Sequence, residues 1–180
     1  LAAIGPELLG SGEALAGTGG TLRNLAKIDR RQRDYPISRV HGYALDRARL
    51  AEALVSAEKA VEVSPDDSMS YAIRAFVKDW NADRSLIEER EAQRFLTEAE
   101  QDAVRALQLD NTNTLALVFY AEILVDQQKW SSAQQNIEQA FTRGEEIMDL
   151  YRVNAYVQES LGNYNLAIEN YDHAITLAPN

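Results

Sequence analysis

The chain has 180 residues, 46% of them hydrophobic and 26% charged, with four Pro and nine Gly, enough apolar material to bury a core as one domain or a short stack of repeats and far too much to stay disordered throughout. It has no Cys, which excludes disulfides, thiolate metal sites and cysteine nucleophiles. A net charge of −10 and the lack of any eighteen-residue apolar run argue against nucleic acid as a partner and against a membrane span.

The charge is uneven along the chain. Residues 1–40 carry six basic and four acidic side chains, whereas residues 41–113 carry nine against fifteen and residues 114–180 carry three against nine. The first 36 residues lack a helical pattern. Gly10, Gly12, Gly17, Gly19 and Gly20 interrupt it, leaving room only for a short helix over Leu22–Arg33, so residues 1–36 read as an irregular lead-in. The basic spot at Arg30, Arg31 and Arg33 reads as a solvated linker. Because the chain begins at Leu1 rather than at Met, it is expected to be a fragment or a processed product.

From residue 37 the pattern is helical. Ala53, Ala57, Ala60, Val61 and Val63 lie on one helix that Ser64 and Pro65 close. Ser68–Trp80 forms the next, with Tyr71 and Ala75 on its inner face. Ser85-Leu86-Ile87-Glu88 has the form of a capping box. The long helix it opens carries Ala92, Phe95, Ala99, Ala103 and Ala106 before Asp110 and Asn111. Leu115–Val125, apolar except for Glu122, reads as a core helix.

The last third of the chain repeats itself. Shifted by 34 residues, Ala121 falls on Ala155, Trp130 on Tyr164, Ala133 on Ala167, Ile137 on Tyr171, Ala140 on Ala174 and Phe141 on Ile175. Small residues meet small and large meet large, as close packing of antiparallel helices requires. Gly162 and Asn163 mark the turn inside the final unit, and Pro179 its end.

Tyr151, Ala155, Gly162, Tyr164, Ala167, Tyr171, Ala174 and Pro179 together resemble the signature of the tetratricopeptide repeat. The departures are Asn154 and Gln158 in place of apolar residues, and Gln128 and Glu145 in place of the preceding unit's turn Gly and terminal Pro. That unit should therefore leave its second helix less regularly. The resemblance implies an all-α fold, a right-handed superhelix of antiparallel helix pairs, over residues 37–180. The units would be 37–67 (degenerate), 68–113 (with an insertion of twelve residues), 114–147 and 148–180.

No chemical site emerges. His41 and His173 belong to no triad or His-x-x-x-His pattern. Gly17-Thr18-Gly19-Gly20-Thr21 lacks the Lys and the preceding strand of a phosphate cradle. The acidic pairs Asp66/Asp67, Glu88/Glu89 and Glu145/Glu146 lack metal-loop spacing. No catalytic residue, metal or cofactor is expected.

The resemblance instead implies a protein-interaction module that holds a peptide or helix in a concave groove lined by first helices. Three faces would line it: Met69, Ala72, Phe76 and Asp79; Leu115, Val118, Glu122 and Val125; Asp149, Arg152, Tyr156 and Glu159. The expected groove residues are Met69, Phe76, Trp80, Phe119, Glu122, Arg152, Tyr156 and Glu159. They favour a partner with apolar anchors and some basic character. The Lys and Asn with which part of the family clamps chaperone C-termini are absent from these faces, so such tails are not expected to bind. An alternative role is the regulatory or sensor domain of a larger enzyme or membrane-anchored signalling protein. Leu161, Tyr164 and Ile168 should leave an apolar end that promotes weak self-association through the last repeat.

Overall fold

The structure, a computed structural model, describes residues 14–15, 45–82 and 87–177. Among these, seven helices follow one another: α1 (Arg47–Val63), α2 (Ser68–Asn81), α3 (Glu89–Leu109), α4 (Thr114–Asp126), α5 (Trp130–Phe141), α6 (Met148–Ser160) and α7 (Tyr164–Leu177). The remaining regular structure among the described residues is a two-residue antiparallel pairing of β1 (Ala14–Leu15) with β2 (Leu45–Asp46), just ahead of α1. The rest of the expected lead-in over residues 1–36, with its Arg cluster and Gly17–Thr21, lies outside the described residues, as do His41 and the Ser85-Leu86 half of the capping box.

Every helix packs on the helices before and after it, and α2, α4 and α6 also pack side by side. That is the contact pattern of an all-α solenoid. Its helices start where the sequence supplies a cap. Asp67 accepts a hydrogen bond from the Ser70 N–H (2.8 Å) at the head of α2, and Asn113 accepts one from Ala116 (3.0 Å) at the head of α4. Asn113 also donates to the Ser68 hydroxyl (2.8 Å), which donates to the Ala106 carbonyl (2.9 Å). One short chain of bonds thus ties the start of α2, the end of α3 and the start of α4. Helix α3 begins at Glu89 with Glu88 as its cap residue and no side-chain capping bond. At 21 residues it carries the expected extra length, with Ala92, Leu96, Ala99, Asp102, Ala103 and Ala106 buried.

Helix α4 is the centre of the core. Ten of its thirteen residues are buried, from Thr114 to Val125, because it has α2, α3, α5 and α6 around it. The 34-residue register places methyl groups where helices touch. Ala121, Ala133, Ala140, Ala155, Ala167 and Ala174 are all buried. The two departures at Asn154 and Gln158 are buried amides that satisfy each other. Asn154 donates to Asn170 (2.8 Å), Gln158 to Asn154 (3.2 Å), Asn163 to Gln158 (2.9 Å) and Asn170 to the Leu166 carbonyl (2.7 Å).

The turns inside the last two units share one geometry despite different residues. The Asn163 N–H bonds the Gln158 carbonyl (2.8 Å) across Gly162, whose φ is 80°. Thirty-four residues earlier the Lys129 N–H bonds the Leu124 carbonyl (2.8 Å) across Gln128, whose φ is 62°. This left-handed C-cap suits Gly and strains Gln. The exit of the 114–147 unit bends through Thr142–Ile147, with Gly144 at φ 73°. Replacing Gln128 with Gly should therefore stabilise the chain by about 0.5–1 kcal/mol, read as a higher urea midpoint at unchanged slope. Ala133→Leu or Ala167→Leu should destabilise it by about 1–3 kcal/mol through overpacking, with the helical circular dichroism retained.

Candidate functional site

Because α2, α4 and α6 lie side by side, the residues they turn toward one another become core. Phe76 (α2) and Phe119 (α4) are both buried, with ring centroids 4.6 Å apart, and Phe76 also meets Trp80 at 5.9 Å. The expectation that Phe76 and Phe119 are exposed anchors is corrected by this burial. Ala72, Val118 and Val125 are buried with them. What stays open on α2 is a stripe rotated slightly from the expected one. Met69 and Ile73 are exposed and Trp80 is half-buried, at spacings of four and seven residues. Ile73 was not among the expected residues.

Polar groups bridge the same three helices. Arg152 on α6 makes a bidentate pair with Glu122 on α4 (2.6 and 2.7 Å) and a further contact with Asp149 (3.3 Å). Burial would lower the Arg152 pKa, but the two carboxylates outweigh it and hold the guanidinium firmly charged. Glu122 is buried. The expected lone groove cation is therefore already engaged from within the protein. Tyr156 on α6 donates its hydroxyl to Asp126 at the end of α4 (2.6 Å), and burial with the nearby carboxylates raises the phenol's pKa well above its usual range. Asp126 in turn shares a hydrogen bond with Asp79 on α2. Glu159 is exposed and accepts from Tyr171 (3.1 Å). The Tyr171 phenol is pushed up to about 12 by burial and then by Glu159.

Asp79 is the unusual member. It is buried, its Oδ1 has no hydrogen-bond partner, and the Nε1 of the adjacent Trp80 lacks one too. Desolvation raises its pKa well above the usual carboxylate range, and Asp126 and Glu122 add to the rise. Burial and the neighbouring carboxylates thus favour the protonated form of Asp79. Sequence reasoning placed Asp79 on this face but not in the site, and missed Asp126 altogether. A usable signal existed: Glu122 and Asp126 are the charged residues of an otherwise apolar helix and lie four apart, hence on one face.

His173 packs on Tyr151 (ring centroids 4.1 Å apart), which in turn meets Phe141 edge-on at 5.4 Å. It belongs to the packing between α5, α6 and α7. Among the described residues no group of His, Cys, Asp and Glu is placed to hold a metal ion, and no helix is long and apolar enough to cross a membrane.

Helix pairs in register at 34 residues, with first helices in contact along the stack, define a helical-repeat solenoid. Comparison with known proteins agrees. The sequence profile described as "Tetratricopeptide repeat" matches residues 155–180. A thermophilic TPR protein from Thermus thermophilus superposes with a TM-score of 0.61 at 16% identity, over 87% of this chain and 82% of that one. No curated protein matches significantly. The last repeat unit thus matches the tetratricopeptide-repeat profile, and the chain has the fold of a TPR protein. Such repeats are in general protein-interaction modules and non-catalytic scaffolds.

The raised Asp79 pKa has a stability consequence. A carboxyl whose folded pKa lies above its unfolded value of 3.8 contributes stability below that value and loses it as pH rises toward the folded pKa. Asp79→Asn keeps the shape and removes the titration. The melting temperature of the variant relative to wild type should climb as pH is raised above the unfolded carboxyl value of 3.8. A difference that stays flat with pH would show that Asp79 is not protonated in the folded chain.

Proposed function

We propose that this chain is a non-catalytic binding module that holds an extended or helical segment of a protein partner along the faces of α2, α4 and α6. The observation that carries the reading is the charge of that surface. Asp126, Asp149 and Glu159 lie along it, while the guanidinium of Arg152 beside them is already held by the buried Glu122 and by Asp149. A surface with surplus carboxyl groups attracts Lys and Arg and repels acidic segments. Met69, Ile73, Trp80 and Tyr156 supply apolar area at or beside it, and half-buried aromatics tend to dominate binding energy. Phe76 and Phe119 support this surface from below. Glu122 and Arg152 act as its fixed frame, because each satisfies the other.

The partner segment in this reading has aliphatic or aromatic anchors with Lys or Arg beside them. Selection of a random peptide display library on the 180-residue chain should enrich such sequences. Their affinity should fall with added salt, as surface charge is screened over a Debye length of about 10 Å at 0.1 M. Trp80→Ala and Glu159→Lys should each weaken a selected peptide by about tenfold, or about 1.4 kcal/mol, while the melting temperature changes little for the exposed Glu159. Enrichment of acidic peptides, or binding indifferent to both substitutions, would sink the reading.

A further inference from the structure

We infer that Asp79 and Asp126 form one acidic subsite, which takes a single Lys or Arg side chain of the partner segment and gives up a proton when it does. The inference rests on the reading of α2, α4 and α6 as a binding face, and names the side chain that this face selects.

The geometry starts from a contact that two ionised carboxylates cannot make. Asp79, near the end of α2, shares a side-chain hydrogen bond with Asp126 at the end of α4. An ionised carboxylate only accepts hydrogen bonds, so this one requires a proton on the pair. Asp126 also accepts the hydroxyl of Tyr156 from α6 (2.6 Å). The two carboxyls differ in depth, for Asp126 is half-buried and Asp79 only 6% exposed. The Asp79 Oδ1 nevertheless has no hydrogen-bond donor, which is rare for a buried oxygen. What it lacks is an N–H, and an ammonium or guanidinium brings several.

Among the described residues the neighbouring cations are engaged elsewhere. Arg152 on α6 is held by Glu122 (2.6 and 2.7 Å) and Asp149 (3.3 Å). Lys78 on α2 pairs with Asp102 (2.9 Å) and Glu98 (3.4 Å) of α3, and Arg74 donates to Asp102 (2.8 Å). Helix α1 meets this end of α2 through the Leu50 carbonyl, which accepts from Asn81 (3.3 Å). The titratable groups that bear on Asp79 are therefore Asp126 and Glu122 of α4, with Arg152 and Tyr156 of α6. Three carboxyl groups share one guanidinium there, and the proton makes up part of the difference. An incoming Lys or Arg takes over that role. The O–H bond of the pair breaks, its proton passes to solvent, and both carboxylates accept from the same cation. Trp80 and Tyr156, both half-buried, offer ring surface to the aliphatic stem.

The sign of the pH dependence follows. The bound state holds one proton fewer than the free one, so affinity rises with pH while the free pair stays protonated, and levels off once Asp79 ionises unaided. Burial and the neighbouring carboxylates carry that range above the ordinary value of 3.8.

The probe is N-acetyl-lysine amide, with N-acetyl-norleucine amide, the same stem without the ammonium, as control. Each is titrated into the 180-residue chain and followed by the indole N–H resonance of Trp80, with Trp130, the other Trp, as internal reference. The lysine probe should move Trp80 and not Trp130, and its dissociation constant should fall by up to about tenfold per pH unit over the rising range. The norleucine probe should do neither. Asp79→Asn should abolish the pH slope, and Asp126→Asn should weaken the probe about tenfold or more at every pH. Calorimetry of the wild-type chain in two buffers of different ionisation enthalpy counts the released proton without any variant. A Trp80 resonance that the lysine probe leaves unmoved, no proton release, or a slope that persists in Asp79→Asn each overturns the inference. The display selection fails separately: acidic peptides there sink the binding face, whereas a pH-independent lysine probe sinks the subsite alone.

Discussion

Neighbouring helices in this chain approach closely because a methyl group stands at each crossing. Ala75, Ala99 and Ala103 enclose Ile123, and Ala72, Ala106, Ala116, Ala121, Ala133 and Ala140 do the same along the main core. Alanine loses no rotamer freedom on burial, so ordering it costs only backbone entropy. It also brings the helix axes near enough for larger side chains to interlock on either side. Leu117, Phe119, Leu124, Ile137, Leu150 and Val153 fill that space. A larger residue at any of these alanines would move two helices, not one side chain.

Polar contacts then fix which turn of one helix meets which turn of the next. Asp102 on α3 accepts from Arg74 (2.8 Å) and pairs with Lys78 (2.9 Å), both on α2. Glu100, also on α3, takes Gln127 (3.0 Å), Lys129 (2.9 Å) and Tyr120 (3.3 Å) from α4 and the turn after it. The amides of Asn154, Gln158, Asn163 and Asn170 join α6 to α7 in the same way. Buried pairs such as those of Asp102 with Arg74 and Lys78 return roughly what their desolvation costs. Their larger effect is on register, because sliding a helix by one turn would leave several buried groups without partners at about 1–3 kcal/mol each.

The fold was legible because its cause is local and repeats. The alternation of Ala with aromatic or aliphatic residues at 34-residue spacing is visible without knowing which helix lies beside which. The face proposed to bind was less legible, since exposure depends on neighbours far away in sequence. Phe76 and Phe119 look like equal candidates until each is seen to cover the other across α2 and α4. Arg152 looks like a free cation until Glu122, 30 residues earlier, is found against it. Asp126 escaped notice because it falls just past the chosen helical face, where only the hydroxyl of Tyr156 reveals its part.

The polar and apolar parts of the surface proposed for binding differ in how the protein has prepared them. On α2, α4 and α6 the charges are already engaged with one another. Arg152 lies between two carboxylates, and Asp79 is buried beside Asp126, which favours its protonated form. A ligand there exchanges contacts for contacts, so its selectivity derives from charge and its affinity depends on salt and pH. The exposed Met69 and Ile73 of α2 offer no such internal substitute. A segment that covers them gains apolar burial at about 25 cal/mol per Å², offset by the cost of ordering the incoming segment. Charge would then decide which segment is admitted more than how tightly it holds.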